Sequence, residues 1–473
     1  MKRKFSVGLL LFLFICLSLS FAVFASETGT SLPDQYATQG DEAKAAFRDA
    51  VGVTGAQSAG DTAFMFASTV LVFIMTPGLA FFYGGMVRRK NVLNTMMNSF
   101  VLMAVISIQW LFFGYSIAFG TGGPLFGIGQ YLGFSGVGAA PSAYAGTIPH
   151  TLFALFQLMF AIITPALISG AFAERMKFSA FLLFSLLWST LVYDPIAHWV
   201  WGVDGWMSLL NPNAAFQALD FAGGTVVHIS SGFAGLVIAL MLGKRKERST
   251  AIPHNIPFVL LGAALLWFGW FGFNGGSALS SGGLAIHAFL TTNTAAAAAM
   301  LSWMSIEWIK TGKPTILGAA TGAVVGLVAI TPGAGFVTPV AAVIIGALVS
   351  PLCYFAVSYL KYKLGYDDAL DAFGCHGVGG FFGAVMTGVF ATTTVNPFGK
   401  NGLLYGNPEQ FLIQLAAASI TAVFSGIMTF LIMKGVGMVM KTRVEEKDEM
   451  QGLDISQHGE DAYPDFSSDQ TIA

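Results

Sequence analysis

Two histidines stand inside apolar stretches, where an ionisable side chain is costly: His228 in the run 221–243 and His376 in the run 374–393. A titratable group within a membrane span costs roughly 3 kcal/mol or more unless it is paired or faces a cavity. Each is therefore a candidate for the functional site. A histidine kept in an apolar pore is expected to be neutral, because desolvation disfavours the charged form, and a neutral ring offers one donor and one acceptor. Two such rings could share a proton and present weak polar contacts to a small neutral solute. Ligation of haem or a metal is the competing chemistry, and a plain bridge between helices is the bland one. No C-x-x-C-H string supports haem, and the other histidines scatter through loops, span ends and the tail.

Aromatic residues form a second constellation. Phe156 and Phe160 share one helical face at i and i+4, and Trp201 closes the following apolar run. Trp267, Trp270, Phe271 and Phe273 crowd a third run just before Asn274-Gly275-Gly276-Ser277. An aromatic cluster beside a hydroxyl can hold a cation, although a tryptophan near a membrane surface is more often an interfacial anchor. Asp220 opens the run that holds His228 and reads first as a helix N-cap, a role compatible with attracting a cation. Glu174 with Arg175, and Asp367, Asp368 and Asp371, read as caps and surface salt bridges.

The elements that must position these residues follow from composition. Of 473 residues 55% are hydrophobic and 10% charged, with a mean hydropathy of +0.69, against about a quarter charged in soluble domains. A water-soluble fold is excluded. A net charge of -2 predicts no polyanionic partner and hence no nucleic acid. Cys16, Cys353 and Cys375 all lie in hydrophobic stretches, which argues against a disulfide framework or a cysteine metal site.

Because a bilayer takes about 20 apolar residues per helix, the chain divides into eleven spans, near 62–84, 95–120, 149–172, 178–200, 221–243, 255–277, 284–309, 315–333, 337–360, 374–393 and 409–440. The expected fold is an all-α integral membrane protein of eleven transmembrane helices. Thirteen basic residues fall in alternate gaps, from Arg88-Arg89-Lys90 to Lys361 and Lys363, against Lys400 alone in the others. The positive-inside rule then puts the N-terminus outside and the C-terminus in the cytoplasm of a multi-pass protein of the inner (plasma) membrane, surrounded by lipid.

At the ends, residues 1–25 read as a signal peptide, with an uncleaved first helix as the alternative. Residues 26–61 read as an extracytoplasmic segment, 62–441 as the membrane domain and 442–473 as a cytoplasmic regulatory tail.

The fifth and tenth spans share a pattern. Asp220, His228, Gly232, Phe233 and Gly235 match Asp368, His376, Gly380, Phe381 and Gly383 at offsets -8, +4, +5 and +7 from the histidine. Units five spans apart run in opposite directions, so the match predicts an inverted repeat with its site near the midplane.

Several strings together resemble the ammonium transporter (Amt) family of the Amt/Mep/Rh superfamily. They are Pro77 to Asn91 (PGLAFFYGGMVRRKN), Gly114 to Gly120 (GYSIAFG), Ala171 to Arg175 (AFAER), Asp220 to His228 (DFAGGTVVH), Trp267 to Ser277 (WFGWFGFNGGS) and Phe373 to Gly380 (FGCHGVGG). The resemblance implies a transporter rather than an enzyme, without a cofactor. It implies a homotrimer, each subunit having its own central pore between two inverted five-helix repeats and one outer helix. Ammonium and methylammonium are the implied substrates. The implied outer site is Phe156, Phe160, Trp201 and Ser277, with a gate of Phe160 and Phe273, pore residues His228, His376 and Trp270, and Asp220 in support. Trp201 and Ser277 favour ammonium transporters proper over rhesus-type relatives. The tail resembles the family's cytoplasmic end, which contacts a neighbouring subunit and a P-II signalling protein; a disordered tail is the alternative. Cys375, Gly275 and Pro165 depart from the family pattern and bear on conductance rather than on membership.

The expected mechanism is capture of ammonium, proton loss near the gate and conduction of ammonia past the histidines. With no GxxxxGK[ST] string, an electrochemical gradient supplies the energy. The rivals are an ammonium sensor with little flux and a rhesus-type neutral gas channel.

Overall fold

The computed structural model describes residues 57–246 and 252–464. The expected signal peptide, Cys16, Arg248 and nearly all of segment 26–61 lie outside the described residues.

Ten described helices are long and apolar enough to cross a membrane. In the first half these are α1 (Ala59–Met86), α2 (Arg89–Phe119), α3 (His150–Phe172), α4 (Phe178–Trp201) and α5 (Gly224–Leu242). The second half has α6 (Ile256–Gly276), α7 (Gly283–Thr311), the shorter α8 (Ile316–Ile330), α9 (Pro339–Leu364) and α10 (Phe373–Phe390), and α11 (Pro408–Val439) follows. The chain is thus an all-α membrane protein whose helices fall where the apolar runs predicted them.

The departures have local causes. α1 breaks at Ile74, between Phe73 and Met75, because Pro77 has no N–H to continue the ladder. α8 ends at Ile330, three residues short of the expected 333, where Pro332 has no N–H to continue the ladder. The freed Pro332 carbonyl accepts the Phe221 N–H at 3.0 Å, tying this turn to the entrance of α5.

The repeat seen in the sequence has a physical counterpart. Asp220 accepts the N–H groups of Gly223, Gly224, Thr225 and Val226 at 2.7–3.1 Å. Asp368 likewise accepts those of Ala372 and Phe373 at 3.0 and 2.8 Å. Each carboxylate caps a helix that opens with a π-helical turn, Gly224–Ile229 or Phe373–Gly377, and each turn holds one of the two histidines. α5 and α10 cross with their backbones touching: a Cβ on Gly232 would lie 2.1 Å from the Gly377 nitrogen, and one on Gly380 would lie 2.8 Å from the His228 Cβ. Small residues let membrane helices approach in this way. α11 lies against both, through Gln414 to the Leu219 and Ala384 carbonyls and Ser425 to the Ser230 carbonyl.

The loops rich in basic residues meet at one end of the bundle, and there the expected surface salt bridges prove to be a buried network. Glu174 accepts the Arg88 N–H at 2.8 Å and the Asn91 amide at 3.0 Å, and pairs with Arg88 at 3.0 Å and Arg245 at 2.9 Å. Asp367 accepts from the Arg245 backbone and side chain at 2.8–3.0 Å. Arg175 is fully buried and donates to the carbonyls of Ala171, Ala173 and Asp367. Burial pushes the Glu174 carboxyl up, but Arg88 and Arg245 outweigh it and hold it below the ordinary range. A carboxyl depressed in the folded state contributes stability at neutral pH that is lost as pH falls through its folded value. Arg245→Ala is expected to lower folding stability by about 3 kcal/mol or more, since it leaves two buried carboxylates undercompensated. Thermal unfolding in detergent measures this, and an unchanged midpoint would contradict it.

The described part of the tail is ordered, against the disordered alternative. α12 (Glu446–Gln451) leads to Asp454, whose carboxylate accepts the Leu93 and Asn94 N–H groups at 3.1 and 2.8 Å and so caps α2. Glu449 accepts the Lys246 N–H at 2.7 Å and pairs with Arg443 at 2.7 Å.

Candidate functional site

The site lies between α3, α4, α5, α6 and α10 and is built from the end opposite the basic loops. One turn of α3 separates Phe156 and Phe160, so their rings meet edge to face with centroids 5.0 Å apart. Phe160 stacks on Phe273 of α6, centroids 4.1 Å apart and planes 29° apart. Trp201 stands perpendicular to Phe160, with ring centroids 6.1 Å apart. Its indole N–H donates to the Asp220 carbonyl at 2.9 Å, which fixes the ring at the end of α4. Asp220 thus holds Trp201 through its backbone and caps α5 through its side chain, where four amide donors occupy the carboxylate. The Ser277 hydroxyl, half-buried at the end of α6, donates to the Phe273 carbonyl at 2.8 Å. Its lone pairs remain available to a cation.

On the far side of the stacked phenylalanines the Trp270 and His228 rings stack at 5.4 Å, and those of His228 and His376 at 5.2 Å, with planes 26° and 22° apart. The two Nδ1 atoms are 3.3 Å apart. One hydrogen bond between them requires one ring to donate and the other to accept, as two neutral imidazoles can. His228 Nε2 is buried without a protein hydrogen-bond partner. These groups face a cavity also lined by Ile163, Leu167, Leu266 and Val324. It holds about 10 Å³ for the centre of a water-sized sphere, the lower limit for one water molecule. A solute the size of water or ammonia fits, and no charged side chain lines the space. No third His, Cys, Asp or Glu joins the two rings in a metal-sized group among the described residues.

Eight of the nine residues singled out in the sequence are joined by these contacts, Ser277 is tied to the column through the Phe273 carbonyl of its own helix, and two aromatic neighbours are left out. Phe271 packs on Phe289 of α7 at 4.1 Å, and Trp267 forms no ring pair among the described residues. Sequence reasoning missed Thr331, which accepts the Trp270 N–H at 2.8 Å. Its signal was the Thr-Pro pair that ends α8.

Comparison with known proteins addresses the family and the fold. The chain matches the Ammonium Transporter Family over residues 63–463. It is 56% identical over 406 residues to an ammonium transporter of Bacillus subtilis (strain 168), covering 86% of this chain and 99% of that protein. The crystal structure of Candida albicans Mep2 superposes with a TM-score of 0.78 at 38% identity, covering 86% of this chain and 91% of that one. A solved sensor Amt protein superposes with a TM-score of 0.76 at 27% identity, over 84% and 98% of the two chains. With a family match that runs from α1 into the tail, and a relative more than half identical over almost its whole length, the chain belongs to the ammonium transporter family.

Proposed function

We propose that the chain moves ammonium across the inner membrane by capturing it at Phe156, Phe160, Trp201 and Ser277, removing its proton near the Phe160–Phe273 gate, and conducting ammonia past Trp270, His228 and His376. The observation that carries this reading is the change in chemistry across the gate. On one side, ring faces and a hydroxyl oxygen suit a cation. On the other, the only polar groups lining the cavity are two imidazoles and an indole whose N–H is already bonded. An unpaired ammonium ion entering an apolar medium faces an idealised cost on the order of 20 kcal/mol, whereas neutral ammonia can exchange hydrogen bonds with the rings. Potassium matches ammonium in charge but has no proton to give up, so this route selects by chemistry rather than by size.

The basic end is assigned to the cytoplasm by the positive-inside rule, which puts the aromatic site outside. The same reading includes a cleaved signal peptide at 1–25, a homotrimer, and a tail that meets a P-II signalling protein. No cofactor or enzymatic step is part of it.

Trp201→Leu tests the outer site. Losing the cation-facing ring is expected to raise the methylammonium concentration for half-maximal uptake by about fivefold, the worth of about 1 kcal/mol. Unchanged concentration dependence would return Trp201 to the role of an interfacial anchor.

The likeness to a solved sensor Amt protein favours a second reading, in which ammonium binding is signalled through the tail with little flux. Uptake by cells that depend on the chain for growth on limiting ammonium at low pH distinguishes the two.

A further inference from the structure

Asp61, in the first turn of α1, is 8% exposed and belongs to none of the site residues above. Its Oδ1 accepts both the N–H of Ser281 at 2.8 Å and the hydroxyl of Ser281 at 2.7 Å. The same turn is tied to the chain entering α3. Ser58 caps it, its hydroxyl accepting the Asp61 N–H at 3.1 Å, and the Ser58 N–H donates to the Thr147 carbonyl at 2.9 Å.

Both partners lie close in sequence to the outer site. Thr147 is three residues before His150, the start of the helix that carries Phe156 and Phe160, and Ser281 is four residues after Ser277. Between Ser277 and Ser281 the chain passes through Leu279 at φ +58°, a left-handed conformation that a residue with a Cβ adopts only when its surroundings hold it there. The turn bonds from the Ala278 and Leu279 N–H groups to the Gly275 and Gly276 carbonyls, at 3.2 and 2.8 Å, support it from one side. The Asp61 carboxylate supports it from the other.

We infer that Asp61 is a positioning residue of the outer ammonium site, a clamp that fixes the loop after Ser277 against the entrance to α3. It thereby sets the spacing between the hydroxyl and the phenylalanines that together receive the cation. The inference rests on the outer-site reading above. A clamp of this kind acts on capture, so it affects the concentration dependence of uptake and leaves the conducting column alone.

The test compares methylammonium uptake by the full chain with Asp61→Ala, Asp61→Asn and Ser281→Ala. Asp61→Ala is expected to raise the half-saturating concentration about fivefold, as for the loss of a hydrogen-bonded tie, with maximal rate held within about twofold. Asp61→Asn keeps an acceptor oxygen for Ser281 and is expected to restore the half-saturating concentration to within about twofold of the parent. Ser281→Ala removes one of the two bonds and shifts it about twofold. The inference is overturned if Asp61→Ala leaves the half-saturating concentration unchanged or lowers only the maximal rate. It is also overturned if Asp61→Asn is as impaired as Asp61→Ala, because charge rather than the held loop would then be acting. If Asp61→Ala does not reach the membrane, the other two variants decide: an unshifted Ser281→Ala overturns the clamp. Trp201→Leu measured alongside separates the two levels. If it too has no effect, the outer site itself is wrong; if it shifts while Asp61→Ala does not, only the clamp is wrong.

Discussion

The His228→Ala/His376→Ala double variant is expected to take up no methylammonium above background. The two imidazoles are the polar groups lining the cavity beyond the gate apart from an indole N–H already bonded to Thr331, and a hydrogen bond in an apolar medium is worth about 4–6 kcal/mol relative to none. A solute that forfeits even one such bond crosses roughly a thousandfold more slowly, since each 1.36 kcal/mol of barrier is about tenfold in rate. Widening the cavity does not compensate, because added apolar space offers ammonia nothing in exchange for its water. The substitution is also mild for the crossing of α5 and α10, because alanine keeps the His228 Cβ that lies over Gly380 and adds no atom there. Radiolabelled methylammonium uptake by membranes containing equal amounts of intact protein checks the prediction. Parent-like uptake in the double variant would remove the histidines from the conduction path.

Gly232→Ala is expected to be as damaging for a different reason. One added Cβ would lie 2.1 Å from the Gly377 nitrogen and 2.3 Å from its Cα. Both obstructing atoms are backbone, so no side-chain rotation relieves the clash, and α5 and α10 must separate. Because His228 precedes Gly232 by one turn and His376 adjoins Gly377, separation pulls the two rings out of their 3.3 Å contact. The expected cost is about 3 kcal/mol, the upper part of the overpacking range, together with loss of uptake. Gly426→Ala on α11, where the new Cβ would meet Val237 at an ordinary 3.7 Å, is the matched control and should leave both properties unchanged. Equal melting and uptake in the two variants would contradict the crossing geometry.

Much of this architecture is legible in the sequence because a membrane constrains it from outside. The expected span 149–172 and the observed helix His150–Phe172 differ by one residue, since apolar length and flanking polarity decide both ends. The order of residues along the site is legible too, through helical phase. Trp270, Phe273 and Ser277 follow i, i+3, i+7 on one face of α6, whereas Trp267 and Phe271 are i and i+4 on another. That phase turns Phe271 away from the site and onto Phe289 of α7. The buried charges were not legible. Glu174 sits in a short loop and reads as exposed, but its partners Arg88 and Arg245 are 86 and 71 residues away, and nothing local announces them. The π-helical turns that hold both histidines were hidden as well, because a single added residue per turn leaves the apolar pattern of a fully buried helix unchanged.

The central claim is that ammonium surrenders its proton and ammonia passes the two histidines. The most direct measurement is an ammonium jump on liposomes containing the purified chain, recording internal pH and current together, with potassium and the His228→Ala/His376→Ala variant as controls. The account predicts a rapid ammonium-dependent signal, absent with potassium and lost in the double variant. A response that potassium reproduces, or that survives removal of both histidines, would contradict it.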